Sequence, residues 1–168
     1  MQNAKDTFYT TLQARLAALN PGRTMVVRGV TRPAVLVEEN ELPSDAVAAN
    51  GPMDAFRLRW TALKADGNHA LPLLTLTCEI RYATDGDAGN GGMDRGRLLA
   101  AMDAELAAAV ELAPRSATKM NYAVTPPAAC GTNIFWGDIT FAPTTVNGER
   151  LERTATVEVF SYQEAGEL

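Results

Sequence analysis

The sequence predicts an α+β protein, a mostly antiparallel sheet with two helices packed on one face. Three observations predict it. Residues 56–63 and 74–82 alternate apolar and polar side chains at the period of a strand. An N-terminal segment and residues 94–113 repeat apolar residues at the period of a helix. Two Thr-, Val- and aromatic-rich stretches close the chain around Asn147-Gly148, a hairpin signal.

The elements come in this order along the chain. Phe8, Leu12, Leu16 and Leu19 recur at spacings of four, four and three, so they share one helical face. Asn3 is the expected cap, Asp6 suits the positive end of the dipole, and Asn20-Pro21-Gly22 stops the helix. Residues 24–30 and 34–38 read as short strands, with a turn over 29–33. Residues 40–52 are rich in Asn, Pro, Asp and Ala and read as a surface loop. In 56–63, Phe56, Leu58, Trp60 and Ala62 share one face and Arg57, Arg59 and Thr61 the other. In 74–82, Leu74, Leu76, Cys78, Ile80 and Tyr82 oppose Thr75, Thr77, Glu79 and Arg81. Such alternation suits an antiparallel sheet with one face on a core and the other in water or against a partner.

Residues 85–92 form a glycine-rich loop, and the second helix carries a stripe of Leu98, Leu99, Met102, Leu106, Ala109 and Val110 before Pro114. Residues 115–132, with Pro126, Pro127 and Gly131, read as irregular. Strands at 134–141 and 150–162 end the chain, with a type I′ turn expected at Asn147-Gly148.

At 168 residues this is one domain on the usual prior, large enough to bury a core without a metal or disulfide staple. The formal charge of −5 argues against capture of nucleic acid, which needs a positive surface. The N-terminus lacks the apolar run of a secretory signal, and no stretch approaches the roughly 18 apolar residues of a membrane span. The expectation is a protein made in the cytoplasm, with no membrane partner.

No residue set reads as catalytic, cofactor-binding or metal-ligating. Asp85 and Asp87 match the first and third positions of a calcium loop, but Asn90 stands where that loop needs Gly and Gly96 where it needs Glu. The same loop lacks a phosphate-binding motif. His69, the lone histidine, follows a turn and has no adjacent nucleophile. Cys78 and Cys130 form no C-x-x-C pair; two free thiols are the expectation and a disulfide the alternative. The run Glu38, Glu39, Glu41 reads as solvated surface, and Trp60 and Trp136 read as core.

The element order resembles the tail terminator, or tail-completion, proteins of tailed bacteriophages. The resemblance is carried by the opening helix over 7–19, the segments Arg28-Gly29-Val30 and Pro33-Ala34-Val35-Leu36-Val37, strand 74–82, and the glycine loop leading into helix 94–110. The closing pair, residues 135–139 and 155–162, completes it. It spans nearly the whole chain as a pattern, and residues 40–52 and 115–132 depart from it by their length. It implies a virion protein assembled in the host cytoplasm. The subunits would form a ring, commonly a hexamer, that caps the head-proximal end of the tail tube and docks the head-tail connector. DNA would only pass through the lumen. Its partners would be further copies of itself, the tail-tube protein and the connector. Another phage neck or tube subunit is the neighbouring reading. A small-molecule-binding or hydrolytic enzyme, with a pocket near His69, Asp85, Asp87 and Cys130, is the alternative class. Candidate interface residues are Arg57, Arg59, Asp85, Asp87, Asn147 and Gly148.

Overall fold

A computed structural model describes residues 1–41, 53–68, 70–85, 90–164 and 167. Most of the expected loop over 40–52, the centre of the glycine loop with Asp87, and His69 lie outside the described residues.

The chain opens with α1, Gln2–Leu19, because Ala4, Phe8, Leu12 and Leu16 bury one stripe. Leu19, expected on that stripe, is 49% exposed because the helix ends beyond the core. Asn3 is not the cap. The helix starts two residues earlier than that cap would place it, after Met1, and Asn3 turns its amide towards Cys130 Sγ at 3.8 Å. Thr7 ties the helix to the sheet: its hydroxyl donates to the Asn3 carbonyl at 2.6 Å and accepts the Met120 N–H at 2.9 Å.

A separate two-stranded ribbon comes next, β1 (Thr24–Val27) and β2 (Val30–Pro33), paired antiparallel. The expected strand over 24–30 is therefore split, and the expected turn over 29–33 sits too late. Arg28 and Gly29 both take positive φ, 51° and 79°, as a type I′ loop requires, and the chain reverses there. β3 (Val35–Val37) is wholly buried, and Glu38–Glu41 continues as a single helical turn, α2, rather than as strand.

The remaining strands are β4 (Phe56–Asp66), β5 (Leu73–Thr84), β6 (Ser116–Asn121), β7 (Ala128–Trp136), β8 (Thr140–Phe141), β9 (Thr145–Asn147) and β10 (Arg150–Tyr162). With β3 they form one sheet in the order β3-β4-β5-β10-β7-β6, with β8 and β9 also paired to β10. Among the described residues only β3 runs parallel to its neighbour. β10 is the axis. One side pairs with β5 from Leu151 to Tyr162, and the other meets β9, β8 and β7 in turn.

Three sequence expectations change here. Residues 115–132 are not irregular: they supply β6 and most of β7, and the prolines sit in the connection between them, where no ladder hydrogen bond is lost. The expected strand over 134–141 is two strands: Gly137 still holds β10 through its N–H to the Glu158 carbonyl at 3.0 Å, and the chain then leaves the ladder and rejoins it at Thr140, one residue out of register. Asn147 belongs to β9 and faces Arg150, so the loop is Gly148-Glu149. Of these two only Gly148 has positive φ, 61°, which fits type II′ rather than the expected type I′.

β4 carries a bulge between Trp60 and Ala62, where the register against β5 shifts. The extra residue reverses the facing of the rest of the strand. Leu63 then lies opposite Leu76, and Ala62 leaves the face that Phe56, Leu58 and Trp60 share.

α3, Met93–Glu111, lies beside α1 on the same face of the sheet, against β5 and β10. Leu99, Met102, Leu106, Ala109 and Val110 are buried, while Leu98, expected among them, faces outward. The fold is thus the α+β arrangement of helices on one face of an antiparallel-rich sheet. The sheet is curled, and Phe8 shows how tightly. Its ring meets Trp60 of β4 at 6.0 Å and Trp136 of β7 at 5.6 Å, both edge-on. Two strands lie between β4 and β7, a span of roughly 14 Å if flat. Curling brings both indoles onto one ring, and the Trp136 indole N–H is satisfied by the Val110 carbonyl at 2.9 Å.

Candidate functional site

The face of the sheet away from the helices carries side chains in rows set by the register. Arg57, Arg81 and Thr154 form one row, and Arg59, Glu79 and Thr156 the next. Further along, Lys64, Thr75, Phe160 and Phe135 form another. Arg57 and Arg59 thus share the polar face, as the alternation predicts.

Asp85 comes directly after β5, whose Thr84 pairs with Leu151, and Leu151 also pairs with Val146 of β9. Asp85, Asn147 and Gly148 therefore gather at one end of the sheet. Arg95, in the first turn of α3, fastens that end. Its Nη1 donates to the Glu149 carbonyl at 2.9 Å, and its own carbonyl accepts from Thr84 Oγ1 at 2.8 Å. Arg57 lies three rows further in, opposite Arg81. Five of the six candidate interface residues are thereby placed, Arg59 one row beyond Arg57, and the sixth, Asp87, lies outside the described residues.

Arg57 has a neighbourhood that sequence reasoning missed. A cavity of about 250 Å³ opens at it, lined by Arg57, Arg81, Tyr82, Ala83, Glu152, Arg153 and Thr154. Burial holds the Arg57 guanidinium below its ordinary pKa; Glu38 and Glu152 oppose that, and Arg81 and Arg150 add to it.

The enzyme reading puts Asp85 and Cys130 in one pocket. They lie apart. Asp85 is beside the start of β10, whereas Ile134, four residues past Cys130, pairs with Ser161 near its end. Ten residues of strand separate these points, roughly 30 Å. Both cysteines are free thiols. Burial raises the pKa of each, far more for the enclosed Cys78. Among the described residues, no group of three His, Cys, Asp or Glu is placed to hold a metal, and no helix is long and apolar enough to cross a membrane.

The edge of the sheet beside β4 is the other candidate surface. β3 pairs only with Phe56, Arg57 and Leu58. Among the described residues, no strand pairs with 59–66 on that side. Thr61 to Asp66 are all exposed, and Leu63 is 47% exposed. The β1–β2 ribbon adds exposed apolar side chains, with Val26 at 67% and Val30 at 62%.

Sequence reasoning also missed the most buried charge among the described residues. Lys119 of β6 is 0% exposed. Its Nζ donates to the Tyr162 carbonyl at 2.8 Å and to Glu167 Oε2 at 2.7 Å, with Glu164 Oε1 at 3.3 Å. The Met1 ammonium meets Glu167 Oε1 at 2.5 Å. Glu164 also accepts from the Thr132 hydroxyl at 2.6 Å and the Thr132 N–H at 2.9 Å. These groups clasp the C-terminal segment to β6, β7 and the start of α1. No local signal marks Lys119, because both carboxylates come from more than forty residues away.

No family model and no curated protein matches this chain.

Proposed function

We propose that this chain is a structural assembly subunit of the tail-terminator type. Copies would form a ring, six-membered in keeping with the family it resembles, that caps the head-proximal end of a phage tail tube and docks the head-tail connector. The observation that carries this reading is the open edge of β4. An unpaired strand edge presents free N–H and C=O groups that accept a neighbouring strand. Here the edge is eight residues long, it carries the half-exposed Leu63, and it adjoins a polar sheet face with no covering layer among the described residues. Ring closure needs such heterologous surfaces, each meeting a different patch on the next copy. The net charge of −5 suits a lumen through which DNA passes without being held.

Substituting the edge tests this. Lysine on an edge strand opposes strand addition. A Thr61→Lys/Leu63→Lys variant should lose self-association at least about tenfold, read as mass by light scattering across a dilution series. Both positions are exposed, so its unfolding free energy should stay within about 0.5 kcal/mol of the parent. Unchanged association would remove this edge from the interface. Open-ended tubes in place of closed rings would favour the tube-subunit reading.

A further inference from the structure

The arginine-lined cavity on the open sheet face has a chemistry of its own, independent of the assembly reading. Arg57 and Arg81 stand directly opposite each other on β4 and β5. Like charges so placed repel and destabilise the pair. Arg150 also acts on Arg57 from β10, in the same sense as Arg81. Glu38 and Glu152 act on Arg57 in the opposite sense. Glu79 is engaged by Arg81 at 2.8 Å, and Glu152 faces Arg150 at 3.4 Å. The carboxylate oxygen of Glu38 nearest to Arg57 is 3.8 Å from Nη1, too far for a hydrogen bond. Arg57 Nε is buried and has no hydrogen-bond partner. Its side chain is only 16% exposed, so water does not freely replace what the protein withholds.

A mostly enclosed guanidinium with an unused buried donor, lining one cavity with a second guanidinium, is suited to receive an oxyanion. Guanidinium donors lie in a planar fork that matches the oxygens of carboxylate and phosphate. The cavity of about 250 Å³ is below the range of drug-sized ligand pockets, so it admits one oxyanionic group and not a nucleotide. We propose that the Arg57–Arg81 cavity binds a single oxyanionic group, either a free phosphate-like ion or the carboxylate of an acidic side chain presented by a neighbouring copy of this chain.

The test uses the full chain and inorganic phosphate. Titration calorimetry at constant ionic strength, with chloride as the background anion, should show saturable one-site binding. Arg81→Gln should weaken it about tenfold or more, since a charge-assisted donor is lost. Arg97→Gln, on the exposed surface of α3, should leave it unchanged. Arg81 is partly exposed, so its replacement keeps the fold, and thermal unfolding of both variants confirms that. Light scattering with saturating phosphate then separates the two sources. A fall in oligomer mass assigns the cavity to a neighbour's carboxylate, and an unchanged mass assigns it to the free ion. No binding, or equal weakening in Arg81→Gln and Arg97→Gln, overturns the proposal. A monomeric protein that binds phosphate and loses it in Arg81→Gln would sink the assembly reading and leave this one standing.

Discussion

Replacing Phe8 with Ala should destabilise the protein by about 4 kcal/mol, the usual cost of emptying a phenylalanine site in a packed core. For a chain of this size that lowers the melting temperature by about 8–16 °C. The expectation rests on where Phe8 sits. It is 2% exposed, and it touches both Trp60 and Trp136, whose strands are separated by two others. Its loss removes apolar burial and two edge-on aromatic contacts together. The surroundings cannot easily collapse into the gap. Trp136 is tied by its indole N–H to the Val110 carbonyl, and Arg15 lies over the same indole at 4.8 Å while bonded to the carbonyls of Ala109 and Leu112. Phe8→Leu, which keeps most of the volume, should cost about half as much or less. Denaturant unfolding monitored by tryptophan fluorescence reads both, since the two reporters flank the site. A loss below about 1 kcal/mol for Phe8→Ala would mean that the sheet does not curl around α1.

The second large effect is at Lys119. Lys119→Met should cost about 3–5 kcal/mol, because it takes the lysine charge away from the enclosed Glu167 and the part-exposed Glu164 and breaks a buried ion pair. The Met1 ammonium then faces Glu167 alone, and Glu164 keeps only its bonds to Gly131 and Thr132. Adding Glu164→Gln and Glu167→Gln to Lys119→Met should recover most of the loss, since removing a whole ionic cluster costs far less than breaking it. Failure of that rescue would show that the lysine's packing, and not its charge, is what matters. The same clasp sets an acid limit. Hydrogen bonding from Thr132 is the main reason that the Glu164 carboxyl is held down from its ordinary 4.5 to about 2, with Lys119 adding to it. In Glu167 burial works against ionisation, but the bonds from Lys119 and the Met1 ammonium outweigh it, so that its pKa is lowered too. A carboxylate whose folded pKa lies below its unfolded value contributes stability that is present above the unfolded pKa and lost as pH falls through the folded one. The parent should therefore lose stability steadily from about pH 4.5 towards pH 2. The triple variant, which carries neither carboxylate, should show a shallower decline over that window.

The legible parts of the fold are those written in local pattern. Residues 74–82 show their facing because one side of β5 meets helices and the other does not. The stripe of α1 is visible for the same reason. The parts that resist reading depend on partners distant in sequence. β6 hides its one fully buried side chain as a lysine, so its strand has no apolar face to recognise, and the carboxylates that make burial tolerable lie at 164 and 167. The bulge at Thr61 is invisible because Phe56, Leu58, Trp60 and Ala62 alternate as if the strand were regular. The turn at Arg28-Gly29 is easily mislaid because arginine rarely takes a positive φ, whereas Asn147-Gly148 draws attention and forms a different loop. Alternation alone places Arg57 and Arg59 on the polar face. It does not reveal the cavity beside Arg57, which needs the register that sets Arg81 opposite and brings Arg150 and Glu38 near.

On the proposed reading, this chain assembles through its exposed sheet edge into a closed ring. Negative-stain images of this purified chain, with mass photometry on the same sample, decide it. Rings of one size are expected, with a mass that is a fixed small multiple of 18.0 kDa, alone or on addition of tail-tube subunits. A uniform monomer that neither self-associates nor binds tube subunits at any concentration tested would contradict it.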